Sequence, residues 1–218
     1  MEPTIYKPGA YKSPGIYNGE GGVYNGRGVY NGRGNTVEIG GRKYKFVKIG
    51  NLLWIDENLD WKLDGVTIGG GFDSSETPHA WYYDNDENEY GVNGRKTGLL
   101  YNKWAADLVN TSLSDGWRVP DIDDFDSLLV FPLSAIKSID LWTTPGTNES
   151  GFNGKPTGAV LNIGNPQRFT GVNSIFEIAS ITENTSTSRK IFCVYNTYMQ
   201  KDFSQNANAL PIRLCKDP

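Results

Sequence analysis

The sequence predicts an α+β domain with two helices and a C-terminal antiparallel β-meander, preceded by an extended Tyr/Gly-rich repeat arm. Three observations lead there. Leu99, Leu100, Trp104, Leu108 and Val109 recur at helical spacing, and a second helical pattern follows Asp121. From Ile175 onward, short apolar runs are separated by polar turns. Residues 5–34 repeat one short unit five times. The boundary is set at residue 35, giving an arm over 1–35 and a domain over 36–218.

The arm comes first. An apolar residue precedes a Tyr at Ile5-Tyr6, Ala10-Tyr11, Ile16-Tyr17, Val23-Tyr24 and Val29-Tyr30. Each pair runs into Pro-Gly or Asn-Gly, which are turn dipeptides. The last two units, Val23-Tyr24-Asn25-Gly26-Arg27-Gly28 and Val29-Tyr30-Asn31-Gly32-Arg33-Gly34, are nearly identical. The segment is no helix and is too short for a private core. One reading is a low-complexity leader. The sharper reading is a docking arm, because a plain linker would not use five tyrosines, which give contact area at low entropic cost. Its anchors are Ile5, Tyr6, Tyr11, Ile16, Tyr17, Val23, Tyr24, Val29 and Tyr30.

The domain opens with alternating apolar residues around Gly40-Gly41, which predicts a β-hairpin over Thr36–Leu53. Gly69-Gly70-Gly71 marks a surface loop. Asp84-Asn85-Asp86-Glu87-Asn88-Glu89 is a polar turn whose side chains bond their own backbone. The first helix starts at Leu99 and ends near Asn110-Thr111-Ser112. Gly116-Trp117-Arg118-Val119-Pro120 is a buried connector with its indole in the core. Asp121 caps the second helix, Asp124 takes the capping-box position, and Phe125, Leu128 and Leu129 form the buried face. Pro132–Pro145 is mixed, and Gly151–Ser174 reads as long loops with short strands. The meander is expected over Phe176–Ile181, Lys190–Tyr195 and Leu210–Lys216.

Several of these segments resemble the Fibrobacter succinogenes major paralogous domain, a subgroup of the C-type-lectin-like fold. They are Trp54-Ile55-Asp56-Glu57-Asn58-Leu59, Trp81-Tyr82-Tyr83-Asp84-Asn85-Asp86, Gly98-Leu99-Leu100-Tyr101 with Trp104-Ala105-Ala106, and Gly116-Trp117-Arg118-Val119-Pro120. Gly146 to Phe152 and Ile212 to Asp217 also fit, so the likeness covers Val37 to Pro218. It implies a C-type-lectin-like domain. The chain departs from the family at Ala179-Ser180-Ile181-Thr182-Glu183, where relatives usually carry Trp-Ser-Ser-Thr-Glu.

The 218 residues hold one sizeable core plus an appendage. The net charge of -4 offers no basic field for nucleic acid or anionic lipid, and no stretch approaches a membrane span. Met1 to Tyr6 lacks a basic region followed by an apolar run, so no secretory signal is expected. Cys193 and Cys215 are compatible with a disulfide, but reduced buried thiols are expected in a chain made without a signal. The one histidine, His79, is read as a surface or packing residue in a loop. Two cysteines do not complete a zinc site. The cysteine pair of formylglycine-generating enzymes, which share the broad fold, has no evident substrate groove here. Asp84, Asp86 and Asn88 alternate as in an EF-hand, but Glu89 and Arg95 stand where that loop needs Gly and Glu.

No catalytic set, metal or cofactor is therefore expected. The functional expectation is a non-enzymatic bacteriophage virion protein, part of a fibre or surface appendage. Residues 1–34 would bind other virion proteins, and the outward domain would contact a host-surface glycan or protein. A homotrimer is expected by analogy with phage fibres. The alternative is a bacterial cell-surface or exported adhesin-like protein of the same family.

Overall fold

The computed structural model describes residues 35–70, 76–90, 97–161 and 168–218. The arm and all nine of its anchors lie outside the described residues. The strands are β1 (Thr36–Ile39), β2 (Arg42–Ile49), β3 (Leu52–Ile55), β4 (Thr67–Ile68), β5 (His79–Trp81), β6 (Leu100–Tyr101) and β7 (Thr157–Leu161). They continue as β8 (Arg168–Val172), β9 (Ile175–Thr185), β10 (Ser188–Tyr195), β11 (Met199–Gln205), β12 (Leu210–Pro211) and β13 (Cys215–Lys216). The α-helical segments are α1 (Glu87–Tyr90), α2 (Lys103–Ser112), α3 (Asp126–Leu129) and α4 (Leu133–Ile136).

The first hairpin forms where the sequence places it. Ile39 pairs with Arg42, and Gly40 and Gly41 take φ of 58° and 75°. Positive φ at both central residues gives a turn whose twist matches the strands, and glycine adopts it without a Cβ clash. The hairpin extends to a sheet of order β1-β2-β3-β13, so the C-terminal strand pairs with β3. The other sheets are β12-β6-β5-β4, β11-β10-β9 and β7-β8.

This architecture overturns the expected fold class. Of the described residues, 41% lie in strands and 16% in helices, so the domain is mostly β, in several small sheets, rather than an α+β domain of C-type-lectin-like form. Two helices do stand where they were expected, but both are shorter. The first begins at Lys103 because Asn102 caps it, its side-chain oxygen accepting the Ala105 amide at 3.0 Å. Leu100 and Tyr101, read as helical, instead pair as a strand with Trp81 and Ala80. The helix buries Ala105, Ala106 and Val109, while Trp104 and Leu108 are half-buried. The second is a 3-10 turn, Ile122–Phe125, running into α3. Asp124 closes the box as expected, its carboxylate accepting the Asp121 amide at 2.7 Å. Phe125 and Leu128 are buried, but Leu129 is exposed.

The meander keeps its first two strands and changes its third. β11 pairs along β10 from Ser188–Gln205 to Val194–Met199. The expected third strand, Leu210–Lys216, divides. Leu210 and Pro211 join β6, and Cys215 and Lys216 join β3. Arg213, fully buried between these pieces, accounts for the break. Its guanidinium donates to Asn58 Oδ1 and to the Ile55, Phe152 and Asn153 carbonyls at 2.6–3.1 Å. It also lies 4.8 Å from the Phe152 ring centroid and 5.4 Å from that of Phe176.

Among the described residues, two large apolar clusters and one small one form the interior. One gathers Tyr44, Leu59, Tyr101, Val109, Trp117 and Ile212. The second gathers Trp54, Phe125, Phe152, Phe176, Phe192 and Cys215. Trp117 is in the core as expected and meets Phe46 edge to face. Both cysteines are free and buried, in different sheets. Burial pushes the Cys193 thiol up to about 12 and raises Cys215 further.

Candidate functional site

A cleft of about 680 Å3 opens beside the β1–β2 turn, lined by Gly40, Gly41, Arg42, Lys43, Glu57, Asp60, Trp61, Lys62 and Tyr82. Three separate segments supply it. The tight turn delivers Arg42 at the first position of β2. The irregular run after β3 supplies Glu57, Asp60, Trp61 and Lys62. Tyr82 follows directly on β5.

The glycine at position 40 is needed twice. Besides its φ, a Cβ there would overlap the Trp61 indole, which lies against the turn. The backbone of Trp61 is fixed from below. Its amide donates to the Tyr101 hydroxyl at 2.9 Å, and that hydroxyl donates to the Trp61 carbonyl at 3.1 Å. Tyr101 is fully buried, so the Trp61 backbone is held from the core.

Arg42 organises the polar side. Its Nη1 donates to Asp60 Oδ2 at 3.1 Å and its Nη2 to Glu57 Oε2. The guanidinium lies 5.0 Å from the Tyr44 ring centroid, and the Tyr44 hydroxyl accepts the Asp60 amide at 2.9 Å. Asp60 is the deep carboxylate, with 6% of its side chain exposed against 33% for Glu57. Burial raises the Asp60 carboxyl above its ordinary range, although the Arg42 charge and a bond from the Tyr82 hydroxyl oppose it. Burial also raises Tyr82, beside the Asp60 charge. Lys62 pairs with Glu87 at 2.6 Å and lies 5.5 Å from the Tyr82 ring.

The lining thus sets donors and acceptors around one aromatic face. Its three cations face two carboxylates, so the field is nearly balanced. That balance suits a neutral ligand with many hydroxyls. Such a ligand can donate to Asp60 and Glu57, accept from Lys43 and Lys62, and lay an apolar C–H face on Trp61.

None of these residues was a site residue in the sequence reading. Glu57 lay inside a family-like motif, and Asp60-Trp61-Lys62 followed it, but nothing local joins them to Arg42. The residues that were singled out lie elsewhere or have structural roles. His79 sits in β5, not a loop, stacked on Trp81 with centroids 5.4 Å apart. Asp86 Oδ1 accepts the Asn88 amide at 2.9 Å at the start of α1, so the stretch read as a polar turn holds a 3-10 turn over Tyr83–Asn85 and the first residues of that helix. At the departure from the family pattern, Ala179 and Ser180 are buried in β9, and Thr182 bonds Asp121 and the Ile122 amide. No cluster of three His, Cys, Asp or Glu side chains able to hold a metal occurs among the described residues.

Small sheets around two aromatic-rich clusters, with a charge-balanced cleft at the first hairpin, define a mostly β domain. The chain belongs to the Fibrobacter succinogenes major domain family, whose model matches residues 47–216. The match includes Glu57, Asp60, Trp61 and Tyr82; the hairpin turn and β1 precede it. The searches of curated proteins and of solved structures give no match.

Proposed function

We propose that the protein is a non-enzymatic component of a bacteriophage virion, in a fibre or other surface appendage. Residues 1–34 attach it to other virion proteins, copies of the chain associate, and the cleft takes a polyhydroxylated host-surface glycan. The observation that carries the binding role is the cleft itself. Trp61 packs against Gly40 of the hairpin turn, its backbone held by the buried Tyr101 hydroxyl, beside a buried Asp60 side chain and a doubly paired Arg42. Held side chains lose little entropy on binding, which favours recognition of a weakly charged ligand. The repeat of apolar–Tyr pairs supports the attachment role.

Isothermal calorimetry of the full chain against purified host-surface polysaccharides tests this reading. Trp61→Ala should cost about 2 kcal/mol of binding, roughly thirtyfold in Kd. Binding unchanged by Trp61→Ala and by Asp60→Asn would remove the cleft from the reading. Mass spectrometry of intact particles tests the location. Recovery from a bacterial envelope and not from particles would favour the adhesin-like alternative.

A further inference from the structure

The deep acid of the cleft and its aromatic face are consecutive residues in a segment that belongs to no strand or helix. Residues 56–66 join β3 to β4, and they supply Glu57, Asp60, Trp61 and Lys62 to the lining. Leu59 is the fixed point of this run. Its amide donates to the Ile212 carbonyl at 2.9 Å, and its carbonyl accepts the Leu99 amide at 3.1 Å. The next two amides go to side chains. That of Asp60 donates to the Tyr44 hydroxyl and that of Trp61 to the Tyr101 hydroxyl, both at 2.9 Å.

The two hydroxyls come from different sheets. Tyr44 stands in β2, which runs between β1 and β3, and Tyr101 in β6, which runs between β12 and β5. Both side chains are buried, with 1% and 0% exposed. A buried ring on a strand paired on both sides leaves its hydroxyl no room to wander. Burial pushes the Tyr44 hydroxyl up to about 12 and that of Tyr101 well above its usual range. Both therefore stay protonated near neutral pH, and Tyr101 keeps the proton that it donates to the Trp61 carbonyl.

This hold matters for what the cleft can distinguish. A sugar laid on the Trp61 face has its ring plane set by the indole. Asp60 then accepts a hydroxyl that leaves that plane in one direction. The planar peptide between the two residues does not fix their relation, because the backbone still turns about φ and ψ. With Asp60 free to drift, a hydroxyl of either orientation would find it.

We propose that the Tyr44 and Tyr101 hydroxyls are positioning groups that make the cleft selective for the orientation of a sugar hydroxyl. Tyr44 holds the residue that reads the hydroxyl, and Tyr101 holds the residue that carries the ring. Neither lines the cleft. The proposal rests on the glycan reading above.

Amide hydrogen exchange of the full chain, followed residue by residue by NMR, tests the hold without any ligand. The Asp60 and Trp61 amides should exchange as slowly as that of Leu59. Tyr44→Phe should speed exchange at Asp60 about tenfold or more, and Tyr101→Phe should do the same at Trp61, with Leu59 unchanged. Titration with the methyl glycosides of glucose, galactose and mannose tests the consequence, since the last two each differ from the first in the orientation of one hydroxyl. The wild-type chain should bind the best of them about fivefold or more tighter than the worst. Tyr44→Phe should bring that ratio toward one, whereas Tyr101→Phe should weaken all of them alike. Loss of fold stability alone would not separate the two variants in this way. Exchange unchanged in both variants would overturn the proposal, as would faster exchange with unchanged affinities, or equal binding of all the glycosides by the wild type. Binding of none of them, with the exchange pattern as expected, would place the failure in the glycan reading, and the selectivity would fall with it.

Discussion

Glu177 shows how a single residue links the sheet to pH. It lies opposite Cys193 on the neighbouring strand, and its carboxylate accepts the Tyr195 hydroxyl at 3.4 Å. Burial raises its carboxyl above the ordinary 4.5; the Tyr195 bond opposes this and the Asp202 charge adds to it. The folded protein therefore holds this proton to a higher pH than the unfolded chain does. Between 4.5 and the raised value the native state binds more protons, so stability falls as pH rises through that window. Above it, the penalty for a buried charge is fully present. Glu177→Gln keeps an acceptor for Tyr195 and removes the charge. The variant should unfold at higher urea than wild type near about pH 8, with the gap closing on acidification and vanishing below the ordinary carboxylate range. A gap that stays constant with pH would show that burial of the charge is not its cause.

The β1–β2 hairpin supplies the comparison among elements. Gly40 and Gly41 share a left-handed backbone, but only Gly40 faces the Trp61 ring; nothing lies within 4 Å of a Cβ at Gly41. Gly40→Ala should cost more than the roughly 1–2 kcal/mol of left-handed strain that Gly41→Ala carries, and it should weaken ligand binding by displacing Trp61. In Trp61→Ala the two glycine variants should cost about the same, which urea titration can check. This hairpin was legible because alternation and turn chemistry are local signals. So was the Asp121–Asp124 cap. β11 was missed because it is an edge strand. Of Met-Gln-Lys-Asp-Phe-Ser-Gln only Ser204 is buried, and Phe203 stands exposed. Leu210–Lys216 misled in the opposite sense. Its apolar residues are all buried, but they serve two sheets on either side of Arg213. The cleft was illegible for a related reason. Its residues meet through pairings distant in sequence, which no window of the chain displays.

For the molecule as a whole, the C-terminal residues are structural. Arg213 satisfies three backbone carbonyls and Asn58, and Cys215 pairs with Trp54 in the middle of the second cluster. A chain ending at Pro211 should stay unfolded, with near-ultraviolet circular dichroism lost, because buried acceptors would have no donor and β3 no outer partner. Retention of a cooperative transition by that truncation would show that the core closes without them. The bond from Arg213 to Asn58 spans 155 residues. At about 5–20 residues per second of synthesis, roughly 8–30 s separate the two on the ribosome. Through that interval Trp54 and Ile55 are made but have no strand to pair with on their outer side. The nascent domain is thus a substrate for chaperones or for its own aggregation during each round of synthesis, and its yield in a cell should depend on elongation speed as well as on the stability of the finished fold.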